Sequence, residues 1–173
     1  MSARNILRSL LLLLAITAHA ETLTGTVVGV ADGDTITVLD ENHQQYKIRL
    51  SGIDAPEKRQ AFGQRSKAEM SRLVFGKPVD VLWNKRDRYR RIIGKVMVAN
   101  SNCRLPQCPK TLDAGLAQIT VGLAWWYKKY AKDQTAEDAG RYEFAEHEAQ
   151  GKHVGLWADR QPIPPWIWRR GKR

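Results

Sequence analysis

The chain has 173 residues, 43% of them apolar, and sets 28 Lys and Arg against 18 Asp and Glu, for a formal charge of +10 at neutral pH. That length accommodates one domain with a substantial core, the apolar share excludes a disordered chain, and two cysteines exclude a disulfide-dense scaffold. The positive balance points to a polyanionic partner, whose approach it steers and whose binding weakens as salt rises.

Residues 1–20 have the zones of a secretory signal. Arg4 and Arg8 give a positive start, Leu10 to Ile16 an apolar run, and Ala18-His19-Ala20 the small residues a signal peptidase reads. The run is far shorter than the roughly 20 apolar residues that cross a bilayer. A cleaved leader is therefore expected, with a mature chain from Glu21 exported to the periplasm or the medium and no stable membrane association.

Beyond the leader, Leu23 to Val30 is rich in Thr and Val and reads as a strand, Asp32-Gly33-Asp34 breaks it, and Thr35 to Leu39 resumes it. Tyr46 to Leu50 alternates, with Tyr46, Ile48 and Leu50 on one face and Lys47 and Arg49 on the other. Further strands are expected at Val79 to Trp83 and Ile92 to Val98, and five short strands with tight turns predict a small barrel. A helix is expected from Phe62 to Phe75, with Ala61, Ala68, Leu73 and Val74 facing inward and Gly76-Lys77-Pro78 ending it. A second covers Leu112 to Val121, where Gly115 costs about 1 kcal/mol against Ala. A third starts after Asp133 as N-cap and runs to Gln150, with Gly151 ending it.

Cys103 and Cys108 are expected to pair in an oxidising compartment, closing a short loop that contributes at most about 3 kcal/mol. Neither has a partner at zinc-ligand spacing among His43, His147 and His153. In Trp125-Trp126-Tyr127-Lys128-Lys129, one tryptophan is assigned to the core, and Tyr127 and Tyr130 are left to stack on a ligand. The tryptophans of Gln161 to Trp168 are expected to pack back on the domain, with the terminal Arg/Lys cluster solvated.

The chemistry concentrates in Asp32-Gly33-Asp34-Thr35 and, one strand later, Arg49-Leu50-Ser51-Gly52-Ile53-Asp54-Ala55-Pro56-Glu57. Hard divalent cations take oxygen ligands. Asp34 and Asp54 offer carboxylates, Pro56 holds Ala55 extended so that its carbonyl is a third candidate, and Glu57 is free to hold a water. Arg49, and a second Arg from Asp87-Arg88-Tyr89-Arg90-Arg91, suit a phosphate whose charge grows as water attacks. Each has a plainer reading alone. Asp-Gly-Asp is a common turn with Gly at positive φ, Arg49 a surface cation, Glu57 a helix cap, and Asp87 to Arg91 a solvated turn. Their joint occurrence is what carries weight.

In order, Asp-Gly-Asp-Thr, Arg-Leu-x-Gly-Ile-Asp-Ala-Pro-Glu, Asp-Arg-Tyr-x-Arg, Gly-Leu-Ala-Trp-Trp-Tyr and a late Gly-Leu-Trp make the chain resemble the staphylococcal (micrococcal) nuclease, or thermonuclease, family from Thr22 to Trp168. The resemblance implies an α+β fold, a five-stranded OB-type barrel with three α-helices. It also implies a monomer that cleaves DNA and RNA, single strands by preference, with Ca²⁺, leaving 3′-phosphates. By position, Asp34, Asp54 and the Ala55 carbonyl would bind the ion, Glu57 would position the water, and Arg49 and Arg91 would clamp the phosphate. Arg88 and Tyr89 would flank the nucleotide, and Tyr127 or Tyr130 would stack on a base. The alternative is a barrel that binds nucleic acid without cutting it, but such relatives lack the acidic and Arg set that is complete here. Three positions depart from the family: Ala55 replaces Thr, Arg90 replaces a Gly, which strains the turn if it needs positive φ, and the Cys103 to Cys108 excursion is extra.

Overall fold

A computed structural model of the chain describes residues 21–171; the leader expected over residues 1–20 lies outside them. Five strands form the barrel: β1 (Glu21–Val30), β2 (Thr35–Leu39), β3 (Gln45–Leu50), β5 (Pro78–Arg86) and β6 (Ile92–Val98). β1 is long enough to serve two neighbours. Glu21 to Thr26 pairs with β5, and Thr26 to Val30 pairs with β2 across a register shift between Val27 and Gly29. An irregularity of that kind bends a strand and lets a sheet curl. The order β3-β2-β1-β5-β6 then closes through parallel pairing of β3 with β6, Ile48 opposite Ile92, so neither of those two strands is left as a barrel edge.

The inward positions of these β-branched strands are Val27, Ile36, Val38, Ile48, Val79, Val81, Ile92, Val96 and Val98, all buried in one core. Tyr46, Ile48 and Leu50 share the inner side of β3, with Tyr46 partly exposed at its start, and the alternation read from the sequence holds.

Helices α1 (Gly63–Val74), α2 (Ala114–Thr120) and α3 (Ala136–Gly151) cover the barrel. Two short strands complete the sheets: β4 (Ile53–Asp54) pairs with β8 (Trp125–Trp126), and β7 (Leu112–Asp113) adds to β6. The inner face of α1 differs from expectation. Ala61 and Ala68 are exposed, and the helix packs through Gly63, Ser66, Met70, Leu73 and Val74. Small residues early in α1 allow close approach, and Ser66 Oγ donates to the Leu123 carbonyl at 2.7 Å.

The cap of α3 is Thr135, whose side chain accepts from the Asp138 amide at 3.1 Å. Asp133 instead pairs with Lys85 at 2.5 Å. Gly115 in α2 has a packing reason, because a Cβ there would meet the Tyr142 hydroxyl at 2.9 Å. That hydroxyl donates to Asp113, which itself caps α2 through the amides of Gly115 and Leu116. Cys103 and Cys108 are disulfide-bonded, as expected. A one-turn helix, α4 (Pro165–Trp168), lies late in the described residues, in a stretch that no periodic pattern marks as helical.

Candidate active site

Asp34 follows the turn that leaves β1 and is almost fully buried (1% exposed). Gly33 is not at positive φ, contrary to the ordinary turn reading. It is glycine because a Cβ would lie 1.8 Å from Ser66 Oγ and 2.8 Å from the Ala55 side chain. The turn is thus pressed between α1 and the segment after β4, and Gln118, wholly buried on α2, ties the layers by donating to the carbonyls of Gly33 (3.0 Å) and Ser66 (2.9 Å). Asp54 is placed by the β4–β8 pairing, opposite Trp125, and is also buried.

Arg49, on the outer face of β3, joins these two acids. One terminal nitrogen, Nη1, pairs with Asp34 Oδ1, and Nη2 donates to Asp54 Oδ1 at 2.7 Å. The second Asp34 oxygen accepts from the Ala55 amide at 2.6 Å, so Ala55 meets Asp34 through its nitrogen. Burial pushes the Asp34 carboxyl up to about 6, with Arg49 opposing and Asp32 adding to the shift. Burial also opposes the charge of Arg49, but the two acids outweigh it and raise its pKa.

Two sequence expectations are corrected here. The terminal cluster is not all solvated: Arg169, just after α4, reaches back 115 residues to Asp54. Its Nη2 donates to Asp54 Oδ2 at 2.6 Å, and its Nη1 donates to Asp54 Oδ1 at 3.1 Å and to Glu57 Oε1 at 2.9 Å. Glu57 is therefore held by a guanidinium, and it does not cap α1, whose N-cap is Phe62. No sequence signal marked Arg169, which is one of several cations in a basic tail. The tail is anchored by Gln60 Nε2 donating to the Ile163 carbonyl at 2.5 Å and by Trp166 stacked on Tyr127, with ring centroids 5.3 Å apart and planes 10° from parallel.

Asp34 and Asp54 thus share the Arg49 guanidinium, Asp54 is held by Arg169 as well, and both side chains offer oxygen only. That is the donor chemistry a hard divalent ion takes. Among the described residues no three Asp, Glu, His or Cys side chains gather to hold an ion. An ion at this point would draw on two carboxylates and complete its shell with backbone oxygen and water.

The site opens on a cleft of about 870 Å³ lined by Arg49, Glu57, Arg88, Tyr89, Arg91, Tyr127, Tyr130 and Arg169. Arg91 does not touch the acids. Its Nε and Nη2 donate to Asp87 Oδ2 at 2.8 and 2.7 Å. Asp87 also accepts from the amides of Tyr89 and Arg91, folding the turn, and these bonds together with the Arg91 charge hold its carboxyl below the usual range against its burial. Arg90 adopts φ 64°, so this turn does require positive φ, and the side chain bears the strain. Arg88 donates to the Tyr89 hydroxyl at 2.8 Å and lies over its ring. Trp126 is the core tryptophan, whereas Trp125 packs partly exposed against Trp157 and Trp166. Tyr127 and Tyr130 meet edge to face at 5.0 Å on the cleft wall.

A five-stranded barrel with helices, carrying an acid pair clasped by arginine at the mouth of a basic, ring-lined cleft, defines an enzyme of the nuclease class. The family model described as staphylococcal nuclease homologue matches residues 47–159. An endonuclease of Haemophilus influenzae, described as uncharacterized, is 39% identical over 97% of this chain and 86% of its own length. Protein ParB of Escherichia coli is 42% identical over 92% and 85%, and a micrococcal nuclease of Shigella flexneri is 36% identical over 98% and 93%. The chain belongs to the staphylococcal nuclease family.

Proposed function

We propose that the chain is an exported, Ca²⁺-dependent nuclease that hydrolyses DNA and RNA, preferring single strands, and leaves 3′-phosphates. The observation that carries this reading is the grip of one guanidinium, Arg49, on both Asp34 and Asp54 beside Glu57 and a cleft walled with cations and rings. Asp34, Asp54 and the Ala55 carbonyl would hold the ion, which would supply positive charge to the phosphate oxygens. Arg49 turns its guanidinium to the same phosphate, and Arg91, which also lines the cleft, clamps it. Glu57, once substrate displaces Arg169, accepts a hydrogen bond from the attacking water and orients it in line. The water oxygen bonds to phosphorus as the bond to O5′ breaks; the water releases one proton to solvent, and the departing oxygen takes one up from solvent. Arg88 and Tyr89 line the nucleotide, and Tyr127 and Tyr130 offer rings to a base.

Export rests on the leader pattern in residues 1–20, with the periplasm or the medium as destination. No described helix is long and apolar enough to cross a membrane. We take the working unit to be a monomer.

The test is release of acid-soluble nucleotides from denatured DNA by residues 21–173, compared in Ca²⁺, Mg²⁺ and chelator. Arg49→Ala and Glu57→Gln should each lower kcat on the order of 10²- to 10³-fold, the effect of removing one transition-state contact. Retarded migration of DNA in a gel with no cleavage in Ca²⁺ would instead make the chain a binding protein.

A further inference from the structure

Beyond the Tyr127–Trp166 stack lies a second hollow that the chemistry above does not use. Its volume is about 470 Å³, within the range of small-ligand sites. Trp125, Trp126, Lys128 and Gln150 line it, and it shares Tyr127, Lys129, Trp166 and Arg170 with the catalytic cleft. The stacked pair is therefore a partition between two adjoining chambers.

The aromatic side chains have a structural reason to be here, since they fasten the tail to the body. The lysines are held more loosely: among the described residues, Lys128 has only a long ionic contact, 3.8 Å, to Glu146, and Lys129 only the Tyr130 ring. Lys128 is more than half exposed, yet it lies over the Trp126 ring at 5.1 Å, and Lys129 lies over Tyr130 at 5.8 Å. With Arg170, they place three cations around the hollow. The acid in its wall, Glu146, is 3% exposed and already engaged: one oxygen accepts from the Trp126 amide at 3.0 Å and the other lies 3.8 Å from Lys128 Nζ. The open side is therefore positive and the inner wall largely aromatic, with Gln150 among the lining residues. A nucleotide matches that distribution, presenting a flat base and an anionic phosphate.

We propose that this hollow is a second nucleotide subsite, occupied by the same single strand one or more residues away from the scissile phosphate. This rests on the nuclease reading, and it adds a prediction that reading does not make: affinity depends on strand length through Lys128 and Arg170. A dinucleotide fills the catalytic cleft alone, whereas a longer strand passes the Tyr127–Trp166 partition and engages both chambers.

The experiment measures fluorescence anisotropy of labelled oligothymidylates, a dinucleotide and a strand of about ten residues, the range one such barrel covers, titrated with the protein in chelator so that nothing is cut. Lys128→Ala should weaken binding of the long strand about tenfold more than binding of the dinucleotide. It should also reduce the slope of log affinity against log salt by about 0.7, the share of one phosphate contact on a single strand. Arg170→Ala, at an exposed lining residue with no ion pair to a buried acid among the described contacts, should show the same length dependence and guards against a folding effect at Lys128. Equal losses for both lengths in both variants, or no loss in either, would overturn the subsite. Failure of wild type to cut either strand in Ca²⁺ would overturn the nuclease reading instead, and the anisotropy result would still decide whether the hollow binds.

Discussion

At the residue scale, Asp54 is the most contested group in the molecule. Arg49 and Arg169 together donate to both of its oxygens. A divalent ion needs an oxygen that Arg169 now holds, and Arg169 is the movable partner, 41% exposed, whereas Arg49 is fixed on a barrel strand with 18% exposed. Arg169→Ala is therefore expected to tighten Ca²⁺ binding about tenfold, a difference of about 1.4 kcal/mol, in a calorimetric titration. The same variant should melt lower in chelator, because it leaves a buried carboxylate with one counter-charge fewer.

Asp34 gives a second prediction at this scale. Its carboxyl is pushed up to about 6 by burial from an ordinary 3.8, so the folded chain holds this proton more tightly than the unfolded chain does. Its stabilising contribution is complete below the unfolded value and is lost as pH rises through about 6. In chelator, Asp34→Asn should gain in melting temperature over wild type as pH is raised from about 4 to 7, and a flat difference across that range would refute the assignment.

These acids and Arg49 were legible in the sequence because they sit within 24 positions, in turns and an alternating strand whose spacing brings them together. Arg169 was not, because nothing local distinguishes it. Its role follows from the path of a tail whose course is set by Trp166 meeting Tyr127, and such distant stacking leaves no periodic trace. Glu57 illustrates the same limit: its identity was readable, but its partner was not.

At the scale of elements, the turn from Asp87 to Arg91 and the junction at Gly33 behave in opposite ways. Arg90 at φ 64° occupies a conformation that costs a residue bearing a Cβ roughly 1–2 kcal/mol. Arg90→Gly should raise stability by about 0.5–1 kcal/mol after the greater freedom of unfolded glycine is subtracted, read from denaturant midpoints. Gly33→Ala should do the reverse. Its methyl would overlap Ser66 Oγ, prising α1 from the turn that carries Asp34, at about 1–3 kcal/mol or more. Loss of Ca²⁺ affinity together with stability would show that the helix sets the acid.

Helix existence and approximate limits were readable from breakers such as Gly76-Lys77-Pro78 and Gly151. The inner face of α1 was not, because the decisive contacts are made by Gly63 and Ser66, residues that a hydrophobic pattern ignores. Nor was the cap of α3, since both Asp133 and Thr135 can serve, and the choice was made by Lys85 drawing Asp133 across to β5.

For the whole molecule, the barrel supplies the rigid frame, and the disulfide loop lies outside it. Cys103 and Cys108 enclose four residues in an exposed excursion between β6 and β7. Replacing both with Ser should lower stability by about 2 kcal/mol or less, the chain-entropy value for so short a loop, and leave KM for a long strand unchanged. A larger loss in thermal unfolding would mean that the excursion braces the barrel. Barrel closure was implicit in five short strands, whereas the parallel meeting of β3 and β6 was not, because strands so far apart carry no mark of which neighbour they will find.

The reach of Arg169 across 115 positions also orders events in time. A chain emerging amino terminus first presents Asp34, Asp54 and Glu57 long before their last counter-ion has been synthesised. The acidic centre is sealed only after the segment that carries Arg169 has followed. A purification handle attached soon after Arg169 would crowd that seal, so one placed ahead of β1, remote from it in sequence, is the sounder choice.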